Sequence, residues 1–350
     1  MTNTTRQASL YRYQLPMDSG VIVRQQRLLQ REGLIIELSD NERMVYAEVA
    51  PLPSFSDETV EQAQAQLLPL LELWQATGQW PQFEVLYPSV AFGLSMAQLE
   101  LNNELPAQGQ YLTAPLCSGD PDELLPVFEK MQAANLLQKV AKVKVGLYEP
   151  IRDGMLVNLF LESIPDLYLR LDANRSWQLA KALKFAQYIA PEYRSRIAFL
   201  EEPCQTPEQS VQFAQQTGIN IGWDETVQQS VQQHSSQAEF NFEDLCFDGV
   251  NTIVIKPTLI GSIARCIELI EQAEKNGLQA VISSSLESTI GLTQLARFAA
   301  WKTPQQVPGL DTLQLFKAQL QLPWPESTLP VIPLLQQQKI WSSVEPSKDI

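Results

Sequence analysis

The sequence predicts an α/β protein, a parallel (β/α) barrel behind a smaller α+β N-terminal domain. Three observations predict it. The 350 residues exceed the usual size of one compact domain, so two domains or one large barrel with an appendage are expected. From about Gly109 short apolar runs alternate with amphipathic stretches, the pattern of right-handed βαβ units. Several of those runs end on a charged or hydroxyl residue just before a turn, and a parallel barrel gathers all such ends on one face.

Taken in order, residues 1–108 are assigned to the N-terminal domain, with strand-like runs from Ser9 to Pro16 and Gly33 to Leu38 and helical stretches beginning near Asp57 and Val90. The barrel is assigned to 109–322. Its strand candidates are QYLTAPL, KVAKVKVGL, LYLRLDANR, IAFLEEP, INIGWDE, NTIVIKP and LQAVISSS, separated by helical stretches such as SWQLAKALKFAQYIA and GSIARCIELIEQAEKNG. The segment QQSVQQHSSQ, at 228–237 between the fifth and sixth strands, has low complexity and reads as a surface insertion or ragged helix. Beyond Pro304 the chain becomes proline-rich (PWPESTLPVIPLL), which suits an extended segment. Residues 323–350 are expected to pack back on the N-terminal domain.

Composition narrows the function. With 45% hydrophobic and 19% charged residues the chain reads as an ordinary globular protein. A net charge of −15 argues against nucleic acid as a partner, because phosphate neutralisation needs a concentrated basic surface. No apolar run is long enough for a membrane span, and the N-terminal residues lack the apolar core of a secretory signal, so a cytoplasmic protein without a membrane partner is expected. Cys117, Cys204, Cys246 and Cys266 are scattered, which suggests reduced thiols rather than disulfides or a zinc site. The small-molecule carboxylate substrate inferred below would depend on local positive charge, and a monomer is the expected assembly.

That local charge is found on successive strand ends. Lys142 and Lys144 are two apart on an apolar strand, so both point to one side, taken as the barrel interior. Burial and like charge both favour a neutral amine, which makes one of them a base candidate. Asp172, Glu201 and Asp224 end the third, fourth and fifth strands, at intervals of 29 and 23 residues that each match one strand, helix and return loop. Taken singly, each reads as a helix N-cap. Together they would stack three carboxylates side by side, and a hard divalent cation such as Mg²⁺, with oxygen ligands at about 2.0–2.1 Å, is the natural neutraliser. Periodicity alone does not choose between Glu201 and Glu202. Lys256 ends the sixth strand, across the barrel from Lys144. Metal and lysines so placed would stabilise the enediolate formed when a proton leaves the carbon beside a carboxylate.

The stretches KVKVGLYEPIRDGMLVNL, LRLDANRSW, RIAFLEEPC, WDE, VIKPTLIGS and ISSSLESTIGLTQLARFAAW, with YRYQLPMDSGV, APLPSFS and PSVAFG nearer the N-terminus, resemble the enolase superfamily and its muconate-lactonizing-enzyme-like subgroup over nearly the whole chain. A lysine base working with Mg²⁺ on an enediolate is a pattern that comes with this resemblance and not from spacing. The resemblance implies a modified TIM barrel, (β/α)7β, with an N-terminal α+β capping domain. It implies that Asp172, Glu201 and Asp224 bind Mg²⁺, with Mn²⁺ as an alternative, which favours Glu201 over Glu202. Lys144 is then the catalytic base and acid, and Lys256 the catalytic cation on the other face of the intermediate. Lys142, Arg170, Gly261, Ser262, Ser283 and Ser284 would bind substrate. The implied reaction is dehydration of 2-succinyl-6-hydroxy-2,4-cyclohexadiene-1-carboxylate to 2-succinylbenzoate, on the way to menaquinone or phylloquinone.

Two departures stand out. Asp224 and Lys256 are 32 residues apart because of the glutamine-rich segment, and the capping stretches Asp18 to Val21 and Pro51 to Ser56 carry little charge to select a substrate. The nearest rivals, N-succinylamino acid racemases, dipeptide epimerases and muconate cycloisomerases, would use the same acids and lysines. A noncatalytic carboxylate-binding barrel has no need of them. A serine-histidine triad is excluded, since no G-x-S-x-G elbow is present and the only histidine, His234, lies in the polar segment, where it is expected to be solvated.

Overall fold

The computed structural model of the protein describes residues 6–18, 21–23, 26–41, 43–117, 139–233 and 240–344. His234 and the rest of the glutamine-rich segment through 237 lie outside them. The N-terminal sheet is built on β1 (Arg6–Pro16), followed by a small hairpin of β2 (Ile22–Val23) and β3 (Gln26–Arg27), then β4 (Gln30–Asp40) and β5 (Arg43–Val49). β1 pairs antiparallel with β4 along its whole length and β4 with β5. The sequence pattern did not mark β5.

Both faces of this sheet are covered, which explains why its strands show no clean apolar–polar alternation. Ala8, Leu10, Leu34, Ile36, Leu38, Ala47 and Val49 face α1 (Val60–Thr77) and α2 (Pro88–Leu101), against Leu67, Leu71, Trp74 and Leu94. Tyr11, Tyr13, Leu15 and Ile35, one register position over, join the core of the barrel instead. α1 is started by a capping box between Thr59 and Gln62 and stopped by Gly78 at φ 76°.

The second sheet has seven parallel strands in sequence order: β6 (Leu116–Cys117), β7 (Lys139–Lys144), β8 (Leu167–Asp172), β9 (Ile197–Glu201), β10 (Ile221–Trp223), β11 (Val250–Ile255) and β12 (Gln279–Ile282). The helices that follow these strands are α3 (Pro150–Ser163), α4 (Leu179–Gln187), α5 (Pro207–Thr217), α6 (Glu225–Gln233), the short α7 (Pro257–Ile260) with α8 (Ile263–Lys275), and α9 (Thr289–Lys302). The first predicted strand shortens to two residues, because Gln110 and Ala114 donate their N–H groups to Ala296 and Pro308 and not to a neighbouring strand. Residues 307–309 bridge the gap between β6 and β12. Gly309 donates to Ile282, Ser284 donates back to Gly309, and Ala114 reaches Pro308, so the curled sheet closes as a modified (β/α)7β barrel.

Beyond Pro304 the described chain is mostly irregular, with single 3-10 turns at Leu313–Leu315 and Leu334–Gln336. After the short parallel pair β13 (Gln319–Leu320) and β14 (Val331–Ile332), it ends in β15 (Gln338–Ser342), which pairs antiparallel with β1 as the fourth strand of the N-terminal sheet. Among the described residues no helix is long and apolar enough to cross a membrane.

Candidate active site

Strand periodicity builds the site. Inside the barrel Phe199, Val254 and Val281 pack as a small apolar cluster, and two residues further along the same strands stand Glu201, Lys256 and Ser283. Register fixes the rest, since Lys144 lies opposite Asp172, Asp172 opposite Glu201, and Glu201 opposite Gly222, two residues before Asp224. Lys144, Asp172, Glu201, Asp224 and Lys256 thus follow one another around the C-terminal rim of the sheet. Gly222 leaves space that a side chain could not share with the Phe199 ring, 2.9 Å from where its Cβ would sit.

The carboxylates do not stack on one another as the spacing alone suggested. Lys142 rises from the layer beneath and places Nζ 2.9 Å from Asp172 Oδ2 and 2.8 Å from Glu201 Oε2. Lys256 Nζ is paired with Asp224 Oδ2 and lies 5.9 Å from the centre of the Phe55 ring, contributed by the N-terminal domain. Among the described residues, no three acids are gathered closely enough to hold an ion as they stand, because the ammonium groups occupy the space between them.

This corrects the expected behaviour of the lysine pair. Burial pulls Lys142 down, but Asp172 and Glu201 more than reverse it, so its ammonium stays charged well above its ordinary value. Lys144 is exposed and not buried as the apolar strand suggested, and among the described residues it makes no hydrogen bond or ion pair. Lys256 behaves like Lys142: burial lowers it, Asp224, Glu225 and Glu201 together more than reverse that, and the result is about 12.

The acids divide the shortage of positive charge unequally. Burial works against Asp172, yet Lys142, Lys256 and Lys144 hold it below the usual carboxylate range. Burial pushes Glu201 well above that range, with Asp172 and Asp224 adding like charge against the pull of Lys142. Beside them Glu225, which no sequence pattern singled out, is pushed up to about 7 by burial and by Asp224, and its Oε2 is buried with no hydrogen-bond partner among the described residues. A set of hard oxygen donors short of positive charge fits a divalent cation.

The expected substrate-binding residues stand around this centre, several with their polar groups engaged. Arg170 is buried in the same layer as Lys142. It donates to the Val307 carbonyl at 2.6 Å, with the Phe199 ring beside it and its Nε unpartnered, and burial lowers it to about 10. Ser283 Oγ donates to Gly309, and Ser284 Oγ shares a hydrogen bond with Thr312 Oγ1. Ser262 caps α8 through Arg265 N–H. Gly261, at φ 124°, adopts a backbone that a side chain would strain, although the space beside it is open.

Two further contacts were not legible in the sequence. Gln228, in the stretch expected to be a surface insertion or ragged helix, belongs to α6, is buried and donates to the Phe55 carbonyl at 2.8 Å. It thereby holds the segment that carries the ring against Lys256. Arg31 is buried and donates to the Leu286, Pro51 and Ala50 carbonyls, tying the chain after Ser284 to the N-terminal domain. Neither a lone glutamine nor a lone arginine carries a local pattern that would have marked it.

Comparison with known proteins agrees with this architecture. The family described as "MenC, N-terminal domain" matches residues 5–101, and "Enolase C-terminal domain-like" matches 129–320. An o-succinylbenzoate synthase of Vibrio cholerae is 62% identical over 338 residues, covering 97% of this chain and 98% of that protein. Among solved structures, an o-succinylbenzoate synthase from Thermosynechococcus elongatus with Mg in its active site superposes with a TM-score of 0.66 at 21% identity, over 89% of this chain and 95% of that one. The L-Ala-D/L-Glu epimerase of Bacillus subtilis gives 0.65 at 16% identity, covering 89% and 91%. Fold is therefore shared between synthases and epimerases, and sequence identity makes the distinction. On that identity, spanning both domains, the chain belongs to the o-succinylbenzoate synthase family of the enolase superfamily.

Proposed function

We propose that the chain dehydrates 2-succinyl-6-hydroxy-2,4-cyclohexadiene-1-carboxylate to 2-succinylbenzoate, as a hydro-lyase of menaquinone or phylloquinone synthesis, with Lys144 as the group that moves the proton. The observation that carries the assignment of roles is the inequality among the three lysines. Lys142 and Lys256 are each ion-paired and held charged, whereas Lys144, on the same rim, has no carboxylate partner among the described residues.

In this reading the Lys144 amine takes the proton from the ring carbon bearing the carboxylate, and the C–H electron pair moves into that carboxylate as an enediolate. The pair then returns to the ring, the C–O bond to the neighbouring hydroxyl breaks, and the Lys144 ammonium delivers its proton to the departing oxygen. Water leaves and the ring becomes aromatic. A divalent cation, Mg²⁺ in this proposal with Mn²⁺ as an alternative, would be held by Asp172, Glu201 and Asp224 and would supply positive charge to the substrate carboxylate as its proton leaves. Lys142 and Lys256 must then release their carboxylates, which frees both ammonium groups to face an anionic substrate. Lys256, beside Phe55, stabilises the intermediate from the other face. Arg170 lies beneath, and Gly261, Ser262, Ser283 and Ser284 border the carboxylate and succinyl groups. Residues 1–108 serve as the capping domain, 109–322 as the catalytic barrel and 323–350 as the segment returning to the cap.

The test is direct: purified protein, with and without EDTA, is given the cyclohexadiene substrate and the loss of diene absorbance is followed. Conversion that EDTA abolishes and Mg²⁺ restores is the expected result. A folded, Mg²⁺-supplied protein that leaves the diene intact, yet exchanges the α-proton of N-succinylamino acids with deuterium, overturns the reading in favour of a racemase.

A further inference from the structure

We propose that Glu202 is a positioning residue, a buried clamp that sets the relative placement of Asp172, Glu201 and Asp224. The proposal rests on the reading of those three acids as metal ligands. Glu202 follows Glu201 directly, and the alternation of a strand turns it away from the interior, so it is not a competing ligand. Its residue is 1% exposed, a costly place for a carboxylate unless every oxygen is used.

Both oxygens are used, and their partners come from the two neighbouring ligand loops. Oε1 accepts from the backbone N–H of Asp224 at 3.0 Å and of Thr226 at 2.8 Å, the free donors at the start of α6. Oε2 accepts from Arg175 Nε at 3.0 Å and from the Thr226 hydroxyl at 3.1 Å. Arg175 belongs to the turn that leaves Asp172. Its own N–H donates to the Glu202 carbonyl at 2.7 Å, and its Nη2 donates to Thr226 Oγ1 at 2.7 Å. Within that turn Asn174 N–H donates to Asp172 Oδ1 at 3.0 Å. One residue therefore joins the strand end carrying Asp172 to the one carrying Asp224, and it is covalently next to Glu201.

Backbone conformation points the same way. Asn174, Arg175 and Glu202 all have positive φ, at 45°, 55° and 38°, in a region that non-glycine residues occupy only when their surroundings hold them there. Such a cluster at the rim, clamped by a half-buried ion pair with fixed N–H donors, keeps three like charges at set positions in spite of their repulsion. Arg175 neutralises Glu202, so the clamp adds no net charge to a site already short of positive charge.

The experiment measures binding of Mg²⁺ alone to the full chain by calorimetry, together with kcat, KM and melting temperature. Glu202→Gln retains an acceptor for the Asp224 and Thr226 N–H groups and loses the tie to Arg175, whereas Glu202→Ala loses both. Mg²⁺ affinity is expected to fall about tenfold in the first and further in the second, within the roughly 10–100-fold range of residues that orient metal ligands. kcat should fall more than KM rises. Arg175→Gln cuts the clamp from its more exposed side and keeps the proposal testable should Glu202→Ala fold poorly. Glu48→Gln, in the remote contact between the domains, serves as the control. It should lower the melting temperature while Mg²⁺ affinity stays at the wild-type value. The proposal is overturned if Glu202→Gln and Arg175→Gln bind Mg²⁺ like wild type while Asp224→Asn binds it more weakly, an outcome that leaves the ligand reading standing. A wild-type chain that binds no Mg²⁺ removes the ligand reading itself, and this one with it.

Discussion

Two buried polar clusters in this molecule solve opposite problems. At the barrel rim, three carboxylates are paired with the two ammonium groups of Lys142 and Lys256, side chains long enough to reach them from neighbouring strand positions. Under the capping sheet, Glu48 accepts from Tyr13 Oη at 2.5 Å, from Ser288 N and Oγ at 2.9 and 2.6 Å, and from Gly291 N at 2.9 Å. Nearby Arg31 gives its N–H groups to carbonyls on both sides of the domain contact. Those partners are backbone groups and short side chains fixed by the fold, including the first turn of α9, whose dipole favours an anion. Even Gly291 is tailored to the contact, since a Cβ there would stand 2.6 Å from Glu48 Oε2. The rim is held by charged side chains paired with one another, and the joint by dipoles that the fold fixes in place.

The contrast predicts that changes at the rim alter chemistry and changes at the joint alter stability. The largest effect is expected for Lys144→Ala, which should lower kcat about 1,000-fold or more, in the range lost with a general base, while an exposed side chain leaves the melting temperature unchanged. Substantial residual turnover would remove Lys144 from its role. Next comes Glu48→Ala. Truncation leaves four donors without their acceptor and should cost about 3 kcal/mol or more in denaturant unfolding; a loss under about 1 kcal/mol would show that the joint does not hold the domains.

A third measurement concerns pH. Burial, and then Glu48, push Glu287 up from 4.5 to about 6. Its folded state prefers the proton, so the favourable contribution is present below the unfolded value and is lost as pH rises through about 6. The chain should lose about 2 kcal/mol from this group between those limits, and Glu287→Gln, which cannot ionise, should flatten the profile there. An unchanged slope would assign the pH dependence to other groups. A loss of Mg²⁺ affinity of about tenfold or more, about 1.4 kcal/mol at the least, is expected for Asp224→Asn by calorimetry, no less than for Glu202→Gln. A larger fall in stability than in affinity would place Asp224 with the joint and not with the site.

Much of the rim is legible in the amino-acid sequence. The strand candidates from Lys139 onward coincide with observed strands, and Lys144, Asp172, Glu201, Asp224 and Lys256 fall at their ends, because period-two patterning and strand-helix spacing are local properties. Elsewhere local pattern is the wrong guide. QYLTAPL looks like a full strand, but most of its hydrogen bonds go to α9 and to the closing segment. The glutamine-rich run looks like a surface insertion or ragged helix, and its described part does continue α6, yet its first residue, Gln228, is buried against Phe55.

By itself the sequence determined which residues could carry the chemistry and on which side of the sheet they would lie, since alternation and strand order follow from neighbouring residues. Only the tertiary structure decided how their charges are shared. Whether a lysine is neutral or held charged depends on the carboxylates within a few ångströms of it, and those come from strands tens of residues away. For the same reason the structure alone paired Lys142 with Asp172 and Glu201 while leaving Lys144 exposed, gave Glu202 its partners in two loops, and joined Arg31 and Glu48 to a barrel far from them in sequence.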